Sequence, residues 1–394
     1  MQRRRLLQAA AVGVSAVLAL AACGGSSSGG SAGGVPDVPK YEGPVGDGEG
    51  QVNILAWPGY AENGTNDPKV DWVSAWEKET GCKANIKTFG TSDEAVKLMQ
   101  EGGWDVVSAS GDASLRLIYG GNVQPVNTDL VPNYKDVFED LKNEPFNSVN
   151  GQMYGIPHGR GANLIMVNTD KVPATDSWSV MFDPNSPAKG GVSPYDSPIY
   201  IADAAVYLMA TQPDLGITYP YALDQKQFDA AIELLKQQKP LVSEYWSDYT
   251  KQIDAVKAGT TTAATTWQVI VNTIGTDAPV AAVKAKEGAT GWSDTWMVAK
   301  DTPNINCAYK WLDHIVSPEA NAAVAEYFGE APANQKACAL TSEGFCDSYH
   351  AGDTEYWKDV YYWNTPTEAC LDGRTDVKCV PYSEWTKAWS ELRS

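Results

Sequence analysis

Hydrophobic and polar positions follow two periods along the first part of the chain, and the pattern predicts strands separated by helices. Gln51 to Trp57, Ala84 to Phe89 and Trp104 to Ser108 are apolar runs of strand length. Between them apolar residues recur every three or four positions, as in a helix with one buried face. This strand–helix–strand–helix–strand order predicts an α/β fold with a parallel sheet and right-handed crossovers.

Capping and turn residues delimit the predicted helices. Asp67 and Pro68 predict the start of the first helix, as N-cap and first helical residue, and Gly81 its end. Thr91 and Glu94 form a capping-box pattern before the second helix. The same signals predict helices over 197–212, 224–238, 247–258, 304–316, 317–328 and 383–392, and extended segments over 153–157, 163–168 and 292–299. Residues 262–271 fit either a strand or a buried helical turn.

The first 22 residues have the pattern of a secretory signal peptide. A basic start, Arg3 to Arg5, is followed by an apolar run from Leu6 to Ala22. The run ends in Leu-Ala-Ala followed by Cys23, which resembles the bacterial lipobox, where the cysteine becomes the lipidated first residue of the mature protein. We therefore expect a lipid anchor on Cys23 at the outer face of the bacterial cell membrane.

Residues 23–50 are rich in Gly, Ser and Pro, and this composition predicts a flexible tether. The globular body is expected to begin near Val52. Removal of the signal peptide leaves 27 of the 30 basic residues against 49 acidic ones, and such a charge disfavours nucleic acid and anionic membrane surfaces as partners.

Six cysteines remain besides Cys23, and an even number in an exported chain predicts disulfides. Cys338 with Cys346 and Cys370 with Cys379 are close in sequence and are the natural local pairs. The remaining pair is Cys82 with Cys307, although six cysteines allow fifteen pairings. A zinc site is disfavoured because no C-x2-C spacing occurs.

Signatures of catalysis are scarce in this sequence. H-E-x-x-H, P-loop and G-x-G-x-x-G motifs do not occur, and three histidines are too few for a His-rich metal site. We expect a protein that is not an enzyme and needs no cofactor. Paired carboxylates of a glycan-active envelope enzyme stay open as an alternative, because acidic residues are plentiful.

Aromatic and turn residues cluster where the predicted strands end, which is where open α/β sheets bind ligands. Fourteen Trp and nineteen Tyr against seven Phe favour amphipathic aromatic surfaces. Trp faces beside carboxylates suit an amine cation. The candidate ligand-binding residues are Trp57, Tyr60, Ser110, Asp112, Asp196, Trp267, Trp292 and Asp294.

Short ordered motifs between about Val52 and Asn334 resemble the extracellular solute-binding proteins of ABC importers, most closely the spermidine/putrescine-binding branch. They are Trp57-Pro58-Gly59-Tyr60, Glu77-x-x-Thr80-Gly81, Trp104-Asp105-Val106-Val107, Gly155-Ile156-Pro157, Val167-Asn168, Lys286-Glu287-Gly288, Trp292-Ser293-Asp294, Ser317-Pro318-Glu319 and Gly329-x-x-Pro332-x-Asn334. The resemblance implies a two-lobe fold of the periplasmic-binding-protein type with the ligand between the lobes. The Cys-rich tail from Cys338 onward is outside this pattern.

The resemblance also implies roles for single residues. Trp57, Tyr60 and Trp292 would flank the methylene chain of a ligand, Asp294 would hold an amine, and Trp267 would add a stacking surface. Asp196 aligns with an acidic ligand residue of the branch.

Two departures from the branch concern its other ligand contacts. The second acid of the branch, three positions after Asp196, is replaced by Ile199. A ligand-contacting Tyr near Ser110 is missing, where Asp112 could act as an acid instead.

Arg160 could pair with a ligand carboxylate, which keeps a zwitterionic amine or amino acid open as an alternative ligand.

These observations predict the organisation of the whole chain. Lobe one would comprise 51–158 and 296–394, the latter with a Cys-rich extension, and lobe two 159–295 with the hinge crossovers. We expect a monomeric, lipid-anchored binding protein that captures a small cationic, polyamine-like solute and delivers it to an ABC permease.

Overall fold

The computed structural model describes residues 35–394. The predicted signal peptide over 1–22, the predicted lipidation residue Cys23 and the first part of the predicted tether lie outside the described residues.

The described strands and helices alternate through most of the chain. The strands are β1 (Gln51–Ala56), β2 (Lys83–Thr88), β3 (Val106–Ala109), β4 (Val123–Gln124), β5 (Ser148–Val149), β6 (Gln152–Met153), β7 (Gly155–Ala162), β8 (Leu164–Asn168), β9 (Val192–Ser193), β10 (Ala263–Thr266), β11 (Val280–Val283), β12 (Ala289–Ala299), β13 (Ala331–Pro332) and β14 (Val360–Tyr362). The α-helices are α1 (Ser74–Thr80), α2 (Ser92–Glu101), α3 (Gly111–Tyr119), α4 (Ser179–Phe182), α5 (Ile201–Thr211), α6 (Gln225–Gln238), α7 (Tyr249–Lys257), α8 (Gln268–Ile274), α9 (Ile305–Ile315), α10 (Pro318–Phe328), α11 (Phe345–Ser348), α12 (Thr354–Trp357) and α13 (Tyr382–Arg393). Helices of the 3-10 type cover Thr128–Leu130, Pro132–Asp136, Glu139–Leu141, Pro198–Tyr200, Pro213–Leu215, Lys239–Leu241 and Ala337–Ala339.

Two sheets form the centres of two lobes. The sheet of lobe one has the order β13-β7-β12-β3-β1-β2, with β4 and β14 also paired to β12. Strands β2, β1 and β3 are parallel, as predicted, and β12 is antiparallel to β3 and β7. The sheet of lobe two has the order β11-β8-β10-β9. The predicted α/β class with two lobes is confirmed.

The chain passes from the first sheet to the second between β7 and β8 and returns between β11 and β12. Asn163 lies at the first crossing and joins it to the second. Its backbone N–H donates to the Thr290 carbonyl at 2.9 Å, and its Nδ2 donates to the Thr290 hydroxyl at 2.6 Å. The Thr290 hydroxyl in turn donates to Asp203 at 2.8 Å, so the hinge is tied to lobe two. β7 and β12 belong to the sheet of lobe one along their whole length, although the sequence-based boundaries placed much of both strands in lobe two.

Helix α1 begins later than its sequence predicted. Asp67 accepts a hydrogen bond from the Lys69 N–H and forms a turn with Pro68, and the helix starts only at Ser74. The carboxylate of Asp71 accepts from the N–H groups of Val73 and Ser74 and takes the capping role predicted for Asp67. The predicted end at Gly81 is confirmed, since this residue has φ +69°.

Residues 35–50 lie against lobe one, where their composition had predicted part of a flexible tether. The Gly46 N–H donates to Asn306 Oδ1 at 2.7 Å. The Glu49 carboxylate accepts from the N–H groups of Asn306 and Cys307 at 2.9 Å each, in the first turn of α9. Tyr41 and Val45 pack against the core of lobe one. The prediction is wrong for these residues, because a few side chains spaced along a Gly-rich segment are enough to attach it.

Three disulfides join the pairs proposed from the sequence. Cys82 and Cys307 link the start of β2 to α9, with Cα atoms 5.7 Å apart. Cys338–Cys346 and Cys370–Cys379 close short loops in the tail.

The C-terminal helix α13 packs on lobe two, whereas the sequence analysis had assigned the whole tail to lobe one. Its buried side chains recur with helical spacing at Tyr382, Trp385, Trp389 and Leu392, and they join the core that contains Trp178, Phe228 and Leu235. The stretch before the helix is also attached there, since the Val380 N–H donates to the Leu223 carbonyl at 2.8 Å. The tail therefore spans both lobes.

Packing of α13 leads to a prediction for stability. Trp385 has no exposed surface, so Trp385→Ala should lower the free energy of unfolding by about 3–5 kcal/mol through lost burial and a cavity. Lys387→Ala on the exposed side of the same helix, where the lysine side chain is 67% exposed, is the control and should change it by less than about 0.5 kcal/mol. Urea unfolding followed by circular dichroism measures both. Equal effects of the two substitutions would contradict this packing.

Candidate functional site

A narrow cleft of about 40 Å³ lies where the two lobes meet. Its nine lining residues are Trp57, Tyr60, Ser110, Tyr195, Trp267, Trp292, Asp294, Phe328 and Trp363. Six of the eight ligand-binding residues predicted from the sequence are therefore brought together. Both lobes contribute. The segments after β1 and β3, and strand β12 itself, supply residues from lobe one, and the segments after β9 and β10 supply Tyr195 and Trp267 from lobe two.

The turn after β1 places two aromatic residues in the cleft. The Tyr60 N–H donates to the Trp57 carbonyl at 3.2 Å, and the Trp57 N–H donates to the Ser108 hydroxyl at 3.0 Å. Gly59 has φ +91°, and a Cβ there would lie 3.1 Å from the Phe328 ring. A glycine is thus required both by the backbone and by the close approach of Phe328.

Asp294 is the one carboxylate that lines the cleft in the described part of the chain, and its side chain is almost fully buried. The Tyr60 hydroxyl donates to its Oδ2 at 2.8 Å. Burial raises the pKa of Asp294 to about 6, while the hydroxyls of Ser110 and Tyr60 act in the opposite direction. Its other oxygen, Oδ1, has no hydrogen-bond partner among the described residues. This oxygen is available to a ligand.

Behind Asp294, Tyr60 connects the cleft to a buried polar group. Its hydroxyl oxygen lies 3.3 Å from Oε2 of Glu330, whose pKa burial raises well above the usual range. A protonated Glu330 can donate to Tyr60, which leaves the tyrosine proton for Asp294. On the far side of Glu330, His158 accepts a hydrogen bond from Trp296 through Nδ1 at 2.9 Å, and burial lowers its pKa to about 3. Burial thus favours the neutral forms of His158 and Glu330, whose Nε2 and Oε1 atoms lie 3.3 Å apart. Asp294, with a pKa of about 6, is the acid of this network that ionises near neutral pH.

Two predicted ligand acids do not line the cleft. Asp112 is buried in the first turn of α3, accepts a hydrogen bond from the Ser92 hydroxyl at 2.8 Å, and has a pKa raised by burial to about 6. Asp196 accepts from Trp389 Nε1 at 3.0 Å and from Arg393 Nε and Nη2 at 3.0 and 3.1 Å. Asp196 therefore anchors α13 to lobe two, a partner that the family pattern does not include.

Three lining residues were missed by the sequence analysis. Tyr195 and Trp363 stack with an interplanar angle of 7° and ring centroids 5.7 Å apart. Phe328 meets Trp292 edge to face at 5.8 Å. Tyr195 stood next to a predicted residue, but Trp363 lies in the tail, where no motif marked it.

Arg160, which the sequence analysis considered as a partner for a ligand carboxylate, is absent from the lining of the cleft. It is buried and forms an ion pair with Asp140, with Nη1 2.7 Å from Oδ2. The zwitterion alternative therefore loses its basic group in the cleft.

The cleft combines aromatic faces with one carboxylate, and none of its described lining residues is basic. Aromatic faces attract ammonium groups, and they also cover methylene chains. A carboxylate with a free oxygen forms a charge-assisted hydrogen bond with an amine. This arrangement suits a slender cation.

Comparison with known proteins agrees with this fold and site. The family model described as "Bacterial extracellular solute-binding protein" matches residues 63–347. The putrescine-binding periplasmic protein SpuD of Pseudomonas aeruginosa strain UCBPP-PA14 is 28% identical over 344 residues, which are 82% of this chain and 88% of the relative. The spermidine/putrescine-binding periplasmic protein of Escherichia coli K12 is 26% identical over 293 residues, 72% of this chain and 79% of the relative.

A solved structure shows the same fold. The spermidine/putrescine ABC transporter substrate-binding protein PotD of Streptococcus pneumoniae, 18% identical, superimposes with a TM-score of 0.67 over 87% of this chain and 97% of its own.

No helix within residues 35–394 has the length and apolar character needed to cross a membrane. The family match extends over well more than half of the chain, from the first helices of lobe one into the tail. It agrees with the prediction of a binding protein rather than an enzyme. The chain belongs to the bacterial extracellular solute-binding proteins.

Proposed function

We propose that the protein captures a small cationic, polyamine-like solute and delivers it to an ABC importer in the membrane. The observation that carries this proposal is the Asp294 Oδ1, which has no hydrogen-bond partner within residues 35–394, in an aromatic cleft whose described lining residues include no basic one. The relatives named above, a putrescine-binding and a spermidine/putrescine-binding periplasmic protein, support the same class of ligand.

The energetics of the cleft fit such a ligand. A charge-assisted hydrogen bond from an ammonium group to Asp294 would contribute about 1.5–3 kcal/mol. Each cation–π contact with rings such as Trp292 or Trp267 would add about 0.5–2 kcal/mol. Together these contributions support micromolar binding, about −8 kcal/mol, once ordering costs are met.

The construction of the cleft supports capture by closure of the lobes. Trp57 and Asp294 belong to lobe one and Trp267 to lobe two, so a ligand between them would touch both. Because the cleft is narrow, a solute enters only if the lobes separate, and its contacts then favour the closed arrangement.

We also propose that the mature chain is a monomer attached to the membrane through a lipid on Cys23. The lipobox-like sequence that ends at Cys23 supports this anchor, which would hold the binding lobes close to the permease.

The anchor is tested by Cys23→Ser in the full chain. Loss of the acceptor thiol should move the protein from the detergent phase to the aqueous phase in a Triton X-114 partition, with no lipid mass in the released protein. Ala22→Gly is the control and should keep the lipid. A Cys23→Ser protein that still carries diacylglycerol would refute the anchor.

The role of Asp294 is tested by comparing two neutral replacements. Asp294→Asn keeps the shape but removes the charge, so it should weaken putrescine binding about tenfold or more in calorimetry. Asp196 is the predicted ligand acid whose carboxylate is hydrogen-bonded to residues of α13, and Asp196→Asn should change the affinity for putrescine less than about threefold. The assignment fails if Asp196→Asn abolishes binding and Asp294→Asn does not.

Affinity for putrescine should depend on pH through Asp294. Its pKa of about 6 is raised by burial, so the free protein holds a proton there at pH 5 and has lost it at pH 7.5. An ammonium group binds the ionised form, so affinity should fall about tenfold from pH 7.5 to pH 5. The Asp294→Asn protein should show a flatter profile. A wild-type affinity that is constant over this range would exclude Asp294 as the group that holds the amine.

A further inference from the structure

A second cavity of about 290 Å³ lies beside the hinge, larger than the cleft described above. Its walls come from β7 and the start of β8, from the end of β11 and from the Cys-rich tail. Trp292 lines both this cavity and the cleft. No residue assigned to amine binding other than Trp292 lines it.

Arg160 contributes a buried cation to this cavity. Its side chain is 1% exposed. Nη1 donates to Asp140 at 2.7 Å and Tyr362 at 3.1 Å, and Nη2 donates to the Ala351 carbonyl at 2.7 Å. Its Nε–H has no hydrogen-bond partner among residues 35–394. A buried N–H without a partner is costly, and one in the wall of a cavity can donate a hydrogen bond to an occupant of that cavity.

Lys284 contributes a second cation at the end of β11. Its Nζ donates to the Tyr356 carbonyl at 2.7 Å and lies 4.7 Å from the centroid of the Tyr356 ring. Within the part of the chain that the structure describes, no carboxylate oxygen lies within ion-pair distance of this ammonium group. Two cationic side chains from different segments therefore line the same cavity, and each has N–H groups left to donate to a ligand.

The other walls do not oppose an anion. Glu330 lines the cavity, but burial raises its pKa well above the usual range and so favours the uncharged carboxyl group. Its Oε1 lies 3.3 Å from His158 Nε2, so this oxygen is turned toward the imidazole. Aromatic, aliphatic and small side chains line the rest of the cavity together with Gln268, Ser348 and His350. Trp357 stacks on the Arg160 guanidinium, with the guanidinium carbon 4.4 Å from the ring centroid.

We propose that the hinge cavity is a second binding site, for a small organic acid whose carboxylate accepts hydrogen bonds from Arg160 Nε and Lys284 Nζ. An aromatic or aliphatic body of the ligand packs against Trp357, Tyr349 and Trp292. Because the cavity is bounded by both hinge crossings, an occupant contacts both lobes. The site requires no occupant of the amine cleft, so it is independent of the function proposed above.

Benzoate is a suitable probe, because it has one carboxylate and a flat apolar body. Calorimetry and tryptophan fluorescence with the full mature chain should show saturable binding of one benzoate per chain. Benzylamine, which has the opposite charge, and benzamide, which has none, should bind at least about tenfold more weakly.

Substitutions then locate the probe. Lys284→Gln should weaken benzoate about tenfold or more and leave putrescine affinity unchanged. The matched control is Lys286→Gln, since Lys286 lies two residues on, is 61% exposed and pairs with Asp176 outside the cavity. Val283→Trp, at an exposed position that lines the same cavity, should also reduce benzoate binding by filling the space.

Several results would overturn the proposal. One is that benzoate does not bind at about 10 mM, well above a millimolar Kd. The others are that benzylamine binds as tightly as benzoate, or that Lys284→Gln and Lys286→Gln weaken benzoate binding equally. Loss of benzoate binding in Asp294→Asn but not in Lys284→Gln would place the probe in the amine cleft and also refute the second site. Failure of putrescine to bind would refute the amine function and leave the benzoate result standing.

Discussion

The cost of burying the Asp294 carboxylate is the constraint on which the rest of the site depends. An ionised carboxylate in an aromatic wall is unstable unless hydrogen bonds or a cation compensate for lost hydration. Tyr60 supplies one hydrogen bond, Ser110 lies beside the group, and the second carboxylate oxygen has no partner in the described part of the chain. The turn at Gly59 and the Glu330 carboxyl group, 3.3 Å from the Tyr60 hydroxyl, hold Tyr60 in this role. One oxygen of the proposed ligand site would thus be completed only by a group from outside the protein.

Local patterns predicted much of the fold and of the cleft, because their information lies within short segments. The strand ends that carry Trp57 and Ser110 follow from apolar runs and turn residues, and Trp292 and Asp294 lie two apart on one strand, so they share a face. The start of α1 was wrong for an equally local reason. Two aspartates four residues apart, Asp67 and Asp71, both fit the capping role, and only the folded turn decides between them.

Packing between distant segments could not be predicted in this way. The sequence predicted Asp196 as an acid that binds the ligand, yet its carboxylate accepts a hydrogen bond from Arg393, almost two hundred residues later in the chain. Arg160 suited a ligand carboxylate in the cleft, but β7 places it on the other side of Trp292, against the tail. In both cases the chemistry of the side chain was interpreted correctly, and its partner depended on where the C-terminal tail folds.

The course of the C-terminal tail bears on how far the two lobes can separate. Thr365 is attached to lobe one through hydrogen bonds to the carbonyls of Gly111 and Asp112, and Cys370 packs on lobe two beside Ala222. Five residue steps span at most about 17 Å when fully extended. If the lobes separate as proposed, this short link would limit their separation beside Trp363, and a solute would enter by the opposite rim.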